Sequence, residues 1–129
     1  MTDPDLLFVY GSLRRSSDHP MAATLASGAD YVGTATTQGA LYRIDWYPGL
    51  VRTDDPGSVV NGDLFHLHSP ENLLPLLDDY EECTNRFPQP HEYRREVTMV
   101  RCNGMNLSAW AYYYNHPVTS DMTLIWHNV

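Results

Sequence analysis

The sequence predicts an α+β fold, built on a curved, mainly antiparallel sheet that could close into a small barrel. Three observations predict it: strand-like segments outnumber helical ones, hairpin-type turns join most neighbouring segments, and one helical segment of substantial length lies mid-chain. The strand–helix alternation of nucleotide-binding sheets is absent, as is their glycine-rich phosphate motif. Because 129 residues suffice for one sizeable core, we expect a single domain over residues 1–129.

The N-terminal part of the chain reads as a strand followed by a short helix. The apolar run of residues 6–10 is typical of a buried strand. A short helix is expected over residues 20–26, because Pro20 suits a first helical turn and Gly28 is placed to end it.

The next region is rich in strand-forming residues and turns. Residues 31–43 carry many Thr, Tyr and Val side chains, which favours strands with bends at Gly33 and Gly39. Tyr47-Pro48-Gly49 is typical of a turn. Two further strands are expected over residues 50–52 and 59–67.

A longer helix follows, and its start has two possible positions. If Ser69 caps the helix, Pro75 falls beyond the first turn and costs about 3 kcal/mol. If Asn72 caps it, Pro75 is the third helical residue, where its missing N–H matters little. We favour the later start. The apolar stripe of this helix consists of Leu73, Leu74, Leu76, Leu77 and Tyr80.

The C-terminal part of the chain reads as a loop and a hairpin. Residues 83–91 contain two prolines and no periodicity, which indicates a loop. Two strands are expected over residues 93–101 and 107–114, joined by Asn103-Gly104, a strong hairpin signal. A final strand or helical turn is expected around residues 122–126.

Composition excludes several classes of function. The formal net charge is −8, with eight Lys plus Arg and no Lys at all, so the basic surface that nucleic acids or anionic membranes require is missing. No apolar run reaches the length of a membrane span, and the acidic N-terminus lacks the character of a signal peptide. Two cysteines are too few for a disulfide scaffold. We expect a cytoplasmic protein that acts on a small molecule.

The segment after the first strand is a candidate anion site. Gly11 permits a positive φ, so the backbone N–H groups of Gly11, Ser12 and Leu13 could point into one concavity and hold an anion. The alternative is an ordinary tight turn that leaves a core strand.

Four carboxylates lie at the C-terminal end of the longer helix, where the helix dipole disfavours negative charge. They are Asp78, Asp79, Glu81 and Glu82. One of them could point inward as a general base with a raised pKa, or all four could form a solvated helix end.

Metal and thiol chemistry find less support in the sequence. His66 and His68 share one face of a predicted strand, but no third ligand at zinc spacing accompanies them. Cys83 has no evident His or Asn partner, and Ser12 is not in a Gly-x-Ser-x-Gly elbow. We therefore expect no metal and no cofactor.

Six short segments match, in order, the motifs of one known family. They are 8–13 (Phe-Val-Tyr-Gly-Ser-Leu), 47–49 (Tyr-Pro-Gly), 60–65 (Val-Asn-Gly-Asp-Leu-Phe), 77–81 (Leu-Asp-Asp-Tyr-Glu), 93–95 (Tyr-Arg-Arg) and 109–114 (Ala-Trp-Ala-Tyr-Tyr-Tyr). Each motif is weak alone, but their shared order over residues 6–118 makes a chance match improbable. On these residues the chain resembles the γ-glutamylcyclotransferase-like (avirulence-induced-gene-like) family.

The resemblance implies a small mixed-strand barrel with flanking helices and a cofactor-independent reaction that releases 5-oxoproline from a small γ-glutamyl amine or amino acid. Glu81 stands at the position of the family's catalytic glutamate, which makes it the expected general acid and base. The segment Tyr10, Gly11, Ser12 and Leu13 is the expected anion cradle. Tyr112 and Tyr114 are further candidates, because their hydroxyls could close the substrate pocket.

One position departs from the family pattern. Glu82 stands where the family often has Gly. A charge there could raise the pKa of the Glu81 carboxyl, or the side chain could point away without effect. Two alternatives to the enzyme remain open: a non-catalytic module of the same fold that binds a small carboxylate, and an interaction protein whose acidic surface meets a basic partner. The leaving amine and the oligomeric state are not predicted.

Overall fold

A computed structural model describes residues 3–10, 20–44, 47–120 and 122–125. Ten elements lie within these residues. The strands are β1 (Leu6–Val9), β2 (Ala29–Gln38), β3 (Ala40–Arg43), β4 (Pro48–Val51), β5 (Val59–Leu67), β6 (Tyr93–Cys102), β7 (Met105–Tyr114) and β8 (Thr123–Ile125). The helices are α1 (Pro20–Gly28) and α2 (Pro70–Tyr80). Neither helix is long and apolar enough to cross a membrane.

Five strands form a closed barrel in the order β1-β5-β2-β6-β7. All neighbours in it are antiparallel except β1 and β7, which run parallel where Leu7 lies opposite Trp110. That parallel contact closes the barrel and makes it mixed. The predicted α+β class, with a mainly antiparallel barrel and flanking helices, is confirmed.

The hairpin between β6 and β7 follows from its turn sequence. Asn103 and Gly104 both have positive φ, 53° and 78°. This is the arrangement of a type I′ turn, whose twist matches that of the flanking strands. Cys102 therefore pairs with Met105, and the register continues without a shift to Tyr93 opposite Tyr114. The predicted hairpin is confirmed.

Strand β5 coincides with the predicted residues 59–67 and is central to the barrel, because it pairs with both β1 and β2. Gly62 lies where β1 passes closest. A Cβ atom at this position would lie 2.3 Å from the Val9 carbonyl oxygen and 2.6 Å from the ring of Phe8. The strand therefore requires glycine for this close approach.

A second sheet has the order β4-β3-β8. The predicted turn over residues 47–49 is wrong in part, because Pro48 and Gly49 begin β4 and pair with Arg43 and Tyr42. An edge strand tolerates proline as its first residue, since no ladder hydrogen bond is lost there. The final strand expected around residues 122–126 is present as β8.

The predicted later start of the longer helix is wrong. Helix α2 begins at Pro70 with Ser69 as N-cap, and Pro75 lies inside it. The Ser69 carbonyl accepts from the N–H groups of Asn72 and Leu73, at 2.9 and 3.0 Å. Pro70 is preorganised for the first helical position, and burial of Leu73, Leu74 and Leu77 outweighs the hydrogen bond lost at Pro75.

Two apolar clusters form the core. The barrel interior is filled from alternate positions of its five strands, including Phe8, Leu64 and Val100. The outer cluster joins the barrel wall to both helices through residues such as Leu25 and Leu77. Helix α2 is thus packed on the outside of the barrel.

Candidate active site

Glu81 is the C-cap residue of α2, with φ −81° and ψ 4°. Its N–H donates to the Leu77 carbonyl at 2.9 Å, so the last helical turn fixes its backbone. Burial, followed by the nearby charges of Glu92, Glu82 and Asp78 in that order, raises the pKa of the Glu81 carboxyl to about 7. Of the two alternatives for Glu82, its charge contributes to the raised pKa of Glu81, less than burial and Glu92 do, while its side chain is exposed. A carboxyl with this pKa can both accept and release a proton near neutral pH.

Asp78 faces the barrel wall rather than solvent. Its Oδ1 accepts from Arg95 Nε at 2.7 Å and its Oδ2 from Arg95 Nη2 at 2.9 Å. Tyr112 donates its hydroxyl to Oδ1 at 2.7 Å. The charge of Asp78 is therefore paired with that of Arg95, and the side chain of Asp78 anchors the end of α2.

The remaining two carboxylates of the predicted cluster point elsewhere. Asp79 is paired with Arg86 and accepts from the Thr84 hydroxyl, and the Arg86 guanidinium lowers the pKa of Asp79. Glu82 is exposed and has a φ of 58°, in the left-handed region that favours glycine. The structure thus gives Glu81 surroundings that differ from those of Asp78, Asp79 and Glu82.

Tyr10 lies at the end of β1 and faces the same region. It donates its hydroxyl to the Tyr112 carbonyl at 2.5 Å and accepts from the Leu50 N–H at 3.0 Å. Burial raises the pKa of Tyr10, and the negative charge of Glu81 adds to this, which places the two side chains within electrostatic reach. Tyr10 is therefore near enough to Glu81 for an electrostatic interaction, and its hydroxyl is hydrogen-bonded to Tyr112 and Leu50. Gly11, Ser12 and Leu13, the rest of the predicted cradle, lie outside the described residues.

Tyr112 and Tyr114 both belong to the outer cluster beneath the helices. Tyr112 is buried, and its hydroxyl is engaged with Asp78. Burial, followed by the charge of Asp78, raises the pKa of Tyr112. The Tyr114 ring packs edge-on against Tyr93, with 5.9 Å between ring centroids, and lies 5.7 Å from the His116 ring.

No feature of the sequence pointed to Glu92, which follows the proline-containing loop. Tyr47 donates its hydroxyl to Glu92 Oε2, and the Tyr47 ring lies 6.3 Å from that of Tyr93. Tyr93 donates to the Pro48 carbonyl at 2.6 Å; burial raises its pKa, and the charges of Tyr10 and Glu81 contribute. The Tyr-Arg-Arg motif points to Tyr93, but tertiary contacts alone place Glu92 beside Glu81.

The other residues considered from the sequence have separate surroundings. His66 lies 2.8 Å from Asp5, and His68 lies 3.0 Å from Asp30. Within the described ranges, no three His, Cys, Asp or Glu side chains are grouped to hold a metal ion. Burial raises the pKa of the Cys83 thiol to about 12, so this thiol is protonated at neutral pH and is a poor nucleophile.

Comparisons with known proteins place the chain in a family. A family model described as gamma-glutamyl cyclotransferase, AIG2-like, matches residues 7–127. Gamma-glutamylaminecyclotransferase A of Danio rerio is 27% identical over an aligned length of 115 residues. The match covers 82% of this chain and 66% of that protein. The chain therefore spans just under two thirds of this relative.

Two solved structures share the fold. YkqA of Bacillus subtilis has a TM-score of 0.69 at 23% identity, and the match covers 95% of this chain but 38% of YkqA. An AIG2-like protein of Mus musculus has a TM-score of 0.67 at 24% identity, covering 87% of this chain and 78% of that one. These two matches show the fold, and the family model confirms the resemblance drawn from the six motifs. The chain belongs to the gamma-glutamyl cyclotransferase, AIG2-like family.

Proposed function

We propose that the protein is a cofactor-independent γ-glutamyl cyclotransferase, with Glu81 as general base and acid. The observation that carries this proposal is the position of Glu81. It is the one member of the acidic helix end that is both partly buried and raised in pKa to about 7. Family membership supports the same reaction class.

In the proposed reaction, the α-nitrogen of the γ-glutamyl group attacks its own γ-carbonyl carbon. The new C–N bond closes a five-membered lactam, and the C–N bond to the leaving amine breaks. The products are 5-oxoproline and the free amine. Because attack is intramolecular, a well-oriented substrate has an effective molarity of about 10⁵–10⁸ M, so no enzyme nucleophile is required.

Two protons pass from the α-nitrogen to the leaving nitrogen overall, and Glu81 can carry them in turn. Its ionised carboxylate accepts a proton from the α-ammonium group, and the resulting acid returns it to the departing amine. A carboxyl with a pKa of about 7 is divided between both forms at neutral pH. This matching of pKa to working pH contributes about 10²–10⁴-fold to such a reaction.

The substrate's charged and polar groups would be held at the end of β1. We propose that backbone N–H groups of the Tyr10–Leu13 segment bind the α-carboxylate or the developing oxyanion, where one lost donor costs about 3 kcal/mol. The Tyr10 hydroxyl is already committed to Tyr112 and Leu50, so Tyr10 acts as a support for this segment rather than as a donor to substrate.

We propose γ-glutamylamines as the substrate class, because the Danio rerio relative is named for them. The second candidate function is a non-catalytic module that binds small carboxylates. Glu82 favours it, since a charged residue occupies the position after Glu81. Under either function the ligand is a small molecule.

One experiment separates the two functions. The purified protein is incubated with a panel of γ-glutamylamines and γ-glutamyl amino acids, and 5-oxoproline and free amine are quantified together. Equal amounts of both products support the cyclotransferase. Calorimetric binding of the same compounds without any product supports the binding module and contradicts the enzyme.

A further inference from the structure

An ion pair anchors the end of α2 to the barrel, three residues before Glu81 in the chain. Asp78 and Arg95 form a two-point contact at 2.7 and 2.9 Å, and their side chains are 18% and 21% exposed. Tyr112 adds a third hydrogen bond to Asp78 at 2.7 Å. The Arg95 guanidinium also stacks over the Trp110 ring, 4.2 Å from its centroid. A carboxylate at one edge of the guanidinium and an aromatic ring on one face therefore fix this arginine in one orientation.

The ion pair lies within one helical turn of Glu81. Asp78 precedes Glu81 by three residues, a spacing that brings two helical side chains close to each other. Arg95 lies on β6 and Tyr112 on β7, directly opposite each other in the hairpin register. A contact to both strands fixes the position of the last turn of α2, and the backbone of Glu81 belongs to that turn.

We propose that Arg95 is a positioning residue for Glu81: it fixes the last turn of α2 through Asp78 and partly offsets the negative charge that Asp78 directs at Glu81. The role of Arg95 in catalysis rests on the function proposed above. Its electrostatic effect on Glu81 is a property of the folded protein and does not depend on that function.

The groups that face Glu81 are mostly anions or neutral phenols and thiols, so the compensation of Asp78 matters. They come from α2 and the loop after it, from β6 and the segment before it, and from the end of β1. The groups are Asp78, Glu82, Cys83, Glu92, Tyr93 and Tyr10. Arg95 of β6 and Tyr112 of β7 contact Asp78. Arg95 is the cation paired with Asp78, whose two carboxylate oxygens accept from the Nε and Nη2 groups on one edge of the guanidinium.

Removing each partner has an opposite effect on Glu81. Arg95→Met leaves Asp78 uncompensated, so an additional negative charge disfavours ionisation of Glu81. Asp78→Asn leaves Arg95 uncompensated and keeps the hydrogen-bonding shape, so a positive charge favours ionisation. For charges at this spacing in a partly buried site, each change is about 0.5–1.5 pH units. A purely structural role would not give effects of opposite sign.

The test is a titration of Glu81 by ¹³C NMR of the side-chain carboxyl in glutamate-labelled protein. The chain has five glutamates, and the Glu81 signal is identified by its loss in Glu81→Gln. We expect its midpoint to rise in Arg95→Met, to fall in Asp78→Asn and to return toward wild type in the double variant. Arg95→Lys keeps the charge, so it should leave the midpoint within about 0.3 pH units of wild type and lower kcat by misplacing Glu81.

Two matched controls change charge without touching this ion pair. Arg94→Met removes the neighbouring arginine of β6, whose 62% exposed side chain pairs with Glu96. Asp79→Asn disrupts a second two-point Asp–Arg contact, which is exposed to solvent and screened by it. Both should leave the Glu81 midpoint within about 0.3 pH units.

Each outcome decides the inference. Opposite displacements from Arg95→Met and Asp78→Asn support it, and equal or absent displacements overturn it. If Arg95→Met does not fold, Asp78→Asn alone decides, because an unchanged or raised midpoint contradicts the proposal. Opposite displacements in a protein that releases no 5-oxoproline would reject the proposed function while leaving the electrostatic role of Arg95 intact.

Discussion

The hydroxyl of Tyr10 donates to the carbonyl oxygen of Tyr112 at 2.5 Å, although 102 residues separate them in the chain. This hydrogen bond ties the end of β1 to β7, beyond the short parallel contact that closes the barrel. The same hydroxyl accepts from the Leu50 N–H, so three elements meet at one oxygen atom. The segment proposed to hold the substrate starts from this junction.

Tyr10→Phe should destabilise the fold because it leaves the Leu50 N–H and the Tyr112 carbonyl without their partner. We expect a loss of about 1–3 kcal/mol in the free energy of unfolding, measured by urea denaturation. Tyr113→Phe is the matched control. Its hydroxyl is buried without a hydrogen-bond partner in the described part of the chain, so its removal should be neutral or stabilising. Equal losses from both variants would contradict the role of the Tyr10 junction.

Gly62→Ala should disrupt the packing of β1 on β5. The added methyl group would lie 2.3 Å from a backbone oxygen, which only a shift of one strand can relieve. We expect a loss of at least about 3 kcal/mol or failure to fold, measured as thermal unfolding by circular dichroism. Gly57→Ala, whose new methyl would meet only the Asp55 side chain at 3.3 Å, should have little effect. A normal melting temperature for Gly62→Ala would show that the close approach is absent.

Much of the fold follows from local signals in the sequence. The Asn103-Gly104 turn and the span of β5 were predictable because turn chemistry and strand composition act within a few residues. The start of α2 was not, because local propensity penalises Pro75 while burial of Leu73, Leu74 and Leu77 in the core compensates for it. The parallel contact of β1 with β7 likewise depends on barrel closure and has no local signal.

The candidate site was predictable only in part. Composition identified an acidic helix end, but residue patterns alone could not select Glu81 from it; the family resemblance made that choice. The structure gives the physical reason, because Arg95 and Arg86 neutralise Asp78 and Asp79 through contacts distant in sequence. No sequence pattern predicted the role of Glu92, because its effect on Glu81 depends entirely on how the loop before β6 folds back.

The raised pKa of Glu81 predicts a pH-dependent stability. Between the ordinary value of 4.5 and about 7, the folded protein holds a proton on Glu81 that the unfolded chain has released. The free energy of unfolding therefore falls as pH rises through this range. Glu81→Gln removes this effect, so its stability relative to wild type should increase between pH 4.5 and 8, by at most about 3 kcal/mol.

Urea denaturation of both proteins at several pH values measures this difference. Glu71→Gln is the control, because Glu71 is exposed in the first turn of α2, where negative charge is favourable. A Glu81→Gln protein whose relative stability is constant or decreases over this pH range would indicate that Glu81 is not held in a desolvated, acidic environment.

The rate of 5-oxoproline release by Glu81→Gln tests the central claim most directly. The amide keeps the size of the side chain but cannot accept the substrate's proton, so kcat should fall by about 10²–10⁴-fold or more while calorimetry still detects substrate binding. Glu71→Gln should retain the wild-type rate. Turnover by Glu81→Gln within tenfold of wild type, in a protein that folds normally, would contradict the assignment of Glu81 as the base.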